Sequence, residues 1–289
     1  MIETLINDAN IQKTVLITGC STGIGYCVAK GLKQRGYRVI ATARRKESVE
    51  QLVNEGFESL QLDLSSSDSI LKAFRQIVQL ADGNLYALFN NGAFGLPGAV
   101  EDLSRENLKV QFETNVFGWL ELTNLVIPLM RKQGFGRIIQ NSSVLGFVSM
   151  PFRGAYNASK YAIEGLSDTL RLELKGSNIF VSLIEPGPIS SQFRANAMKA
   201  MQQYIDIENS MHREKYLGVL ARLNKKGPAV PFTLPPEAVL KRVIYALESN
   251  KPKPRYYVTL PTYLFGFLKR LLSNRQMDAL LAKAGSDSK

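Results

Sequence analysis

One stretch near the N-terminus restricts the fold more than any other. Val15-Leu16-Ile17-Thr18 is a short apolar, β-branched run of the kind that forms a buried parallel strand. It leads into Gly19-Cys20-Ser21-Thr22-Gly23-Ile24-Gly25, and a helical pattern carrying Val28, Ala29 and Leu32 follows. In a strand–loop–helix unit of this kind Gly19 permits the tight turn, Gly23 lets backbone approach a pyrophosphate, and Gly25 lets the helix pack on the strand. Free N–H groups at the helix start then bind phosphates. A glycine-rich loop can serve a turn alone, but its place between strand and helix favours a nucleotide.

The remaining chain repeats the alternation. Candidate strands cover 14–18, 38–43, 58–62, 85–90, 137–142, 179–184 and 255–259, with helical patterns notably at 69–80, 107–130, 155–174 and 236–247. This pattern predicts an α/β fold: a doubly wound, Rossmann-type parallel sheet of about seven strands with helices on both faces. Ligands in such sheets sit at the carboxyl ends of the strands. One domain over 1–289 accommodates the chain, and 45% hydrophobic residues supply its core. Two segments leave the pattern. Residues 190–232, after Pro186-Gly187-Pro188, read as a substrate lid or a helical surface insertion; residues 256–289 form an apolar and basic C-terminal extension. Cys20 and Cys27 read as packing residues, and no disulfide framework or metal-ligand spacing is present. A single histidine, His212, leaves Ser143 without a Ser-His-Asp set.

Tyr156 and Lys160 stand one helical turn apart, so their side chains share a face. A cation beside a phenol favours the phenolate and makes the pair a proton donor. Ser143 lies thirteen residues upstream, just beyond an apolar strand pattern, where its hydroxyl can polarise a substrate oxygen. Alone, the pair is also what a surface tyrosine and a solvated lysine look like.

Taken together, the motifs resemble those of the short-chain dehydrogenase/reductases. Thr18-Gly-x-x-x-Gly-Ile-Gly25, Asn90-Asn91-Gly92-Ala93, Asn115, Ser143, Tyr156-x-x-x-Lys160 and Pro186-Gly187 occur in the family's order and spacing. Within the family the chain looks like the NADP-dependent aldehyde reductases, retinol dehydrogenases and 17β-hydroxysteroid dehydrogenases. The resemblance implies hydride transfer between a nicotinamide and a carbonyl or alcohol. Tyr156 is then proton donor and base, Lys160 lowers its pKa and holds the nicotinamide ribose, Ser143 binds the substrate oxygen, and Asn115 positions a water linking Lys160 to solvent. Gly19, Ser21, Thr22, Gly23, Ile24 and Gly25 line the diphosphate. Asp63 and Leu64 border the adenine, and Asn91 and Gly92 lie beside the cofactor. Pro186, Gly187, Ile189 and Ser191 contact its carboxamide end and diphosphate. The family usually reads Asn-Asn-Ala-Gly; here Gly92 and Ala93 are exchanged.

In the dinucleotide fold an acid at the end of the second strand binds the ribose 2′-hydroxyl of NAD. The family's position for it is Ala43 here, followed by Arg44 and Arg45. Two guanidiniums attract the 2′-phosphate that a carboxylate would repel, so the sequence selects NADP(H).

The net charge of +11 is unevenly placed. Residues 190–232 hold seven Lys/Arg against three Asp/Glu, and 251–289 eight against two, while 1–189 nearly balance. A solvated basic face and a weak contact with an anionic membrane surface both account for this. No motif or aromatic-interleaved basic patch points to nucleic acid. Residues 1–10 are mixed and polar, unlike a signal peptide, so the expected location is cytoplasmic. The tail residues Tyr263, Phe265, Phe267 and Leu268 are expected to be covered by protein, over the pocket or at a homo-oligomer interface (dimer or tetramer). The expected function is NADPH-dependent reduction of a small hydrophobic aldehyde or ketone. Alternatives are oxidation of a retinol- or hydroxysteroid-like alcohol, and an NADP(H)-sensing or peripheral membrane protein without turnover.

Overall fold

Seven strands form one parallel sheet: β1 (Thr14–Ile17), β2 (Arg38–Ala43), β3 (Glu58–Gln61), β4 (Ala87–Asn90), β5 (Gly136–Asn141), β6 (Ile179–Glu185) and β7 (Arg255–Tyr257). Their order across the sheet is β3-β2-β1-β4-β5-β6-β7. The computed structural model describes residues 12–285 apart from 226, 228 and 229. The expectation for residues 1–10, and those parts of the lid (226, 228, 229) and tail (286–289), lie outside the described residues.

The pleat of β1 divides the core. Val15 and Ile17 face one side, where Val28 and Leu32 of helix α1 (Gly23–Gln34) meet Val239 and Val243 of a helix late in the chain. Leu16 faces the other side, with Trp119, Leu122, Val126 and Ile163. Alternation with period two sends neighbours to opposite faces, so a buried parallel strand is apolar throughout. Between β2 and β4 run α2 (Lys46–Asn54) and α3 (Ser67–Leu80); Ser66 caps α3 by accepting from the Ser69 N–H. The strand order reverses at β1, which has β2 on one side and β4 on the other, and this opens a crevice at its carboxyl end.

The helical pattern at 107–130 is one rod in three parts. Helix α4 (Arg105–Phe112) passes through a π-turn at Glu113–Phe117 into α5 (Gly118–Gln133), which ends at Gly134 with φ +80°. Helix α6 (Gly154–Glu173) carries the Tyr-x-x-x-Lys pair. The expected lid is helical: α7 (Phe193–Tyr204) and α8 (Arg213–Asn224). Asp102 accepts from Ser210 and from the Tyr216 hydroxyl, and the Asn107 amide donates to Tyr204 O, so the lid is tied to the loop after β4. Helix α9 (Glu237–Glu248) supplies Val239 and Val243, and α10 (Leu260–Leu271) and α11 (Asn274–Gly285) follow β7.

Within a single chain the tail cluster is covered in part. Phe265 and Leu268 are covered, but Tyr263 and Phe267 are 47% and 61% exposed. A helix turns residues 263 and 267 to one side and 265 to another. A sequence cluster therefore splits between two faces.

Candidate active site

The glycine loop is built by close backbone approach. Gly19 has φ +72°, and a Cβ there would lie 2.6 Å from Gly92 Cα. A Cβ on Gly25 would meet Gly19 O at 2.2 Å, so α1 starts directly against the strand end. Thr22 is the N-cap of α1 in extended backbone and makes no side-chain cap, while Ser21 and Thr22 are exposed. The N–H groups at Gly23, Ile24 and Gly25 belong to the first turn and have no intrahelical partner. Across the cleft, Ser191 Cβ is 3.1 Å from where a Cβ of Gly23 would stand.

Asn91 holds three strand ends together. Its Nδ2 donates to Thr18 O (2.9 Å) and Gly19 O (3.2 Å), and its Oδ1 accepts from Asn141 Nδ2 (2.9 Å). Thr18 Oγ1 accepts from the N–H groups of Asn91 and Gly92. Neither Gly92 nor Ala93 has positive φ, so their exchange strains nothing. A Cβ at 92 would sit 3.0 Å from Leu64 Cδ1 and 3.3 Å from Gly19 N; glycine here lets the two loops close on each other.

Ser143, Tyr156 and Lys160 converge at the carboxyl ends of β5 and β6. Ser143 is buried; its Oγ accepts from Leu145 N (3.1 Å), and Val144 N donates to Pro186 O (2.8 Å). Burial pushes the Tyr156 phenol up to about 12, opposed by Ser143 as hydrogen-bond partner and by the Arg153 charge. Lys160 is 1% exposed. Its Nζ donates to Asn141 O (2.8 Å) and lies 4.4 Å from the Trp119 ring centroid and 5.6 Å from that of Tyr156. Burial pulls its pKa down to about 7, against the charge of Glu164 one turn along. Ser143 and Arg153 are the groups that counter the rise of the phenol. A lysine drawn down by burial carries only part of its charge near neutrality.

Asn115 sits in the π-turn, fully buried. Its Oδ1 accepts from Phe94 N, and its Nδ2 donates to Phe94 O and Ser159 Oγ. Both amide hydrogens are thus used in clamping the strand exit to α6. The side chain braces these elements against each other.

The lid reaches the site through Phe193, whose ring stacks edge-on against Tyr156 (5.4 Å, 63°) and stands 2.9 Å from a Cβ placed on Gly95. Ile189 bridges to Leu234, which fixes the segment after Pro186. Gly187 faces Thr259 and Thr262: a Cβ there would meet the Thr259 hydroxyl at 2.2 Å. Arg44 and Arg45 are exposed at the end of β2, with no ion-pair partner among the described residues. Asp63 follows β3, and its Oδ1 accepts from Ser65 N and Oγ. A glycine cradle, an uncapped helix start and two unpaired guanidiniums along one edge fit a dinucleotide phosphate.

Sequence reasoning missed Trp119 and Phe193. Trp119, which donates to Gly92 O (2.7 Å) and floors Lys160, is the sole tryptophan and stands one turn after Asn115. Phe193 follows Ser191 by two residues, but nothing in its polar neighbourhood marks it.

Comparison with known proteins places this geometry among relatives. The sequence profile described as short chain dehydrogenase matches residues 13–202. The oxidoreductase YbbO of Escherichia coli (strain K12) is 45% identical over 94% of each chain. Human retinol dehydrogenase 8 is 33% identical over 86% of this chain and 81% of its own. Among solved structures, a short-chain dehydrogenase from Streptomyces avermitilis superposes with a TM-score of 0.74 at 24% identity, covering 97% of this chain and all of its own. A short chain dehydrogenase from Burkholderia cenocepacia J2315 in complex with NADP gives 0.71 at 22%, over 93% and 97%.

Proposed function

The chain belongs to the short-chain dehydrogenase family and is an oxidoreductase, and we propose that it reduces an apolar aldehyde or ketone with NADPH. The observation that carries this reading is the meeting of Ser143, Tyr156 and buried Lys160 at one end of the sheet. The choice of NADP(H) rests on Ala43-Arg44-Arg45 and agrees with the NADP-bound relative from Burkholderia. A cofactor of this kind supplies the hydride. The Gly19–Gly25 loop and the start of α1 would hold its diphosphate, Arg44 and Arg45 its 2′-phosphate, and Asp63 and Leu64 its adenine. Pro186, Gly187, Ile189 and Ser191 would line its nicotinamide end.

The protein's own part is polarisation and proton delivery. Ser143 Oγ donates to the substrate carbonyl oxygen as negative charge builds there. Tyr156 gives that oxygen its proton, and the Arg153 charge favours the phenolate left behind. Lys160, near 7, exchanges a proton at neutral pH and so can restore the phenol. The ring of Phe193 offers an apolar wall beside Tyr156. Retinol dehydrogenase 8 carries an apolar alcohol in its name, which favours the oxidation of such an alcohol as the second reading. Exposed Phe117, Leu120 and Leu166 on the α5–α6 face are suited to pairing with a second copy, in keeping with a homo-oligomer. Reduction by NADPH fits a cytoplasmic setting.

Tyr156→Phe tests the reaction. NADPH binding is expected to survive, while turnover on a panel of aliphatic aldehydes, retinal and ketosteroids falls by about 10²–10⁴. Wild-type hydride transfer in this variant, followed by stopped flow, would sink the assignment.

A further inference from the structure

Helix α10 has two apolar faces, and the rest of the chain covers only one. Inward, Phe265 packs with Val144, Leu145, Val148, Met277 and Leu281 beside Tyr156. Lys269 Nζ donates to Phe147 O, and Gly266 lies against the Tyr257 ring. These contacts fix how the helix is rotated. Outward, Leu260, Tyr263, Leu264, Phe267 and Leu271 are 58%, 47%, 50%, 61% and 64% exposed. At about 100° per residue these five positions fall within a stripe roughly 100° wide. Arg242 of α9 donates to the Tyr263 hydroxyl at the stripe's edge (3.2 Å), and Arg270, Arg275, Lys251 and Lys253 are exposed in the same part of the chain.

We propose that this stripe is a docking surface for an anionic lipid bilayer, on which α10 lies parallel to the membrane plane. Charge decides the occupant. On α10 and α11 stand Lys269, Arg270, Arg275 and Lys283 against one acid, Asp278, and Arg242 of α9 reaches the stripe. A second copy meeting this face by two-fold symmetry would set those cations against each other; an anionic headgroup layer neutralises them. The five outward side chains also follow one another without a polar interruption, as a helix immersed to the level of the acyl chains requires. At twelve residues α10 is about 18 Å long, suited to lying in the interface, and among the described residues no helix is long and apolar enough to cross a membrane. The inner face of the same helix borders Tyr156, so a bilayer-dissolved substrate would reach the cleft past one helix. That last consequence rests on the reductase reading; the docking does not.

Vesicle sedimentation of the full chain tests it. One set of vesicles is phosphatidylcholine alone, and the other contains roughly 30 mol% phosphatidylglycerol. Wild type is expected to pellet with the anionic set and to be released as salt is raised to about 0.5 M. Phe267→Glu and, separately, Leu271→Ser should weaken partitioning by about tenfold or more, and Arg270→Glu with Arg275→Glu should remove the lipid preference. All these positions are exposed, and unchanged NADPH fluorescence titrations and thermal transitions verify that the fold is kept. Failure of the wild type to pellet overturns the proposal, as does pelleting of Phe267→Glu at the wild-type level. A fall in size-exclusion mass in that variant also overturns it, by marking the stripe as a protein interface. Sedimentation needs no turnover, so a failure here leaves the reductase assignment standing, and the reverse holds too.

Discussion

Glu185→Gln should make the protein more stable at neutral pH. Glu185 ends β6 and is 1% exposed at its side chain. Three carboxyl groups, Glu164, Asp168 and Glu185, share one guanidinium, that of Arg255, at 3.1, 2.6 and 3.1 Å. One cation cannot balance three buried or half-buried anions. Burial, then the charge of Glu164, drives the Glu185 pKa far above the usual carboxylate range, with Arg255 opposing. Glu164 is raised too, by burial, while Asp168 stays low because Arg255 and Arg171 outweigh its burial. The folded state therefore keeps a proton on Glu185 that the unfolded chain releases above its ordinary pKa of about 4.3. With more protons bound in the fold, stability falls as pH rises, by about 1.4 kcal/mol per pH unit for each proton held. From pH 5 to pH 7 the wild type should lose about 2–3 kcal/mol relative to Glu185→Gln, whose neutral amide has no proton to give up. Lys160 has the opposite sign. Its folded pKa of about 7 lies below the unfolded ~10.4, so it adds stability as pH rises between those values. The wild type should accordingly level off above pH 7 while the variant goes on gaining. Urea denaturation of both proteins at pH 5, 6, 7 and 8 gives the comparison. Parallel stability curves from pH 5 to 7 would mean that Glu185 is ionised in the fold, and the reasoning would be wrong.

The remaining predictions concern the site and its surroundings. Combining Ala43→Asp with Arg44→Ala should shift preference from NADPH toward NADH by one to two decades, the loss of a charge-assisted phosphate contact being worth about 1.5–3 kcal/mol; nicotinamide fluorescence titrations read this, and equal wild-type affinities would refute it. Phe193→Ala should enlarge the cleft over Tyr156, so that kcat/KM rises for bulky substrates and falls for small ones while NADPH affinity is unchanged. Leu166→Glu on the α5–α6 face should lower the mass seen by light scattering if copies pair there, and an unchanged mass would move the interface elsewhere.

The inner strands were legible because parallel strands buried on both faces are rich in Val, Ile and Leu; the edge strands β3 (Glu58–Gln61) and β7 (Arg255–Tyr257) carry no such run and lie where the alternation leaves room for a strand. Ser143, Tyr156 and Lys160 were legible through spacing, since one helical turn joins two of them and a strand end presents the third. What spacing could not reveal was the balance of burial against charge. Lys160 next to a phenol promises a cation, but burial in the surrounding core draws its pKa down. Asn115 was legible as a site residue, yet its amide is spent on Phe94 and Ser159, partners 21 and 44 residues away that no local pattern announces. The two faces of α10 follow from periodicity once the helix is granted, but which face meets protein depends on the Tyr257 ring and on Gly187, both set by tertiary contact.

The contact between Gly187 and the Thr259 and Thr262 hydroxyls also orders events in time. Folding during synthesis proceeds from the N-terminus. Val239 and Val243, which pack on α1 beneath the nucleotide crevice, the hydroxyls beneath Gly187, the counter-ion Arg255 and the wall behind Ser143 all come from residues 237–285, made after the strands they support. A chain cut before residue 237 lacks the packing beneath the crevice as well as the parts that steady the Ser143–Tyr156 pair. The crevice and the proton donor's surroundings are thus completed together, late in synthesis, rather than one before the other.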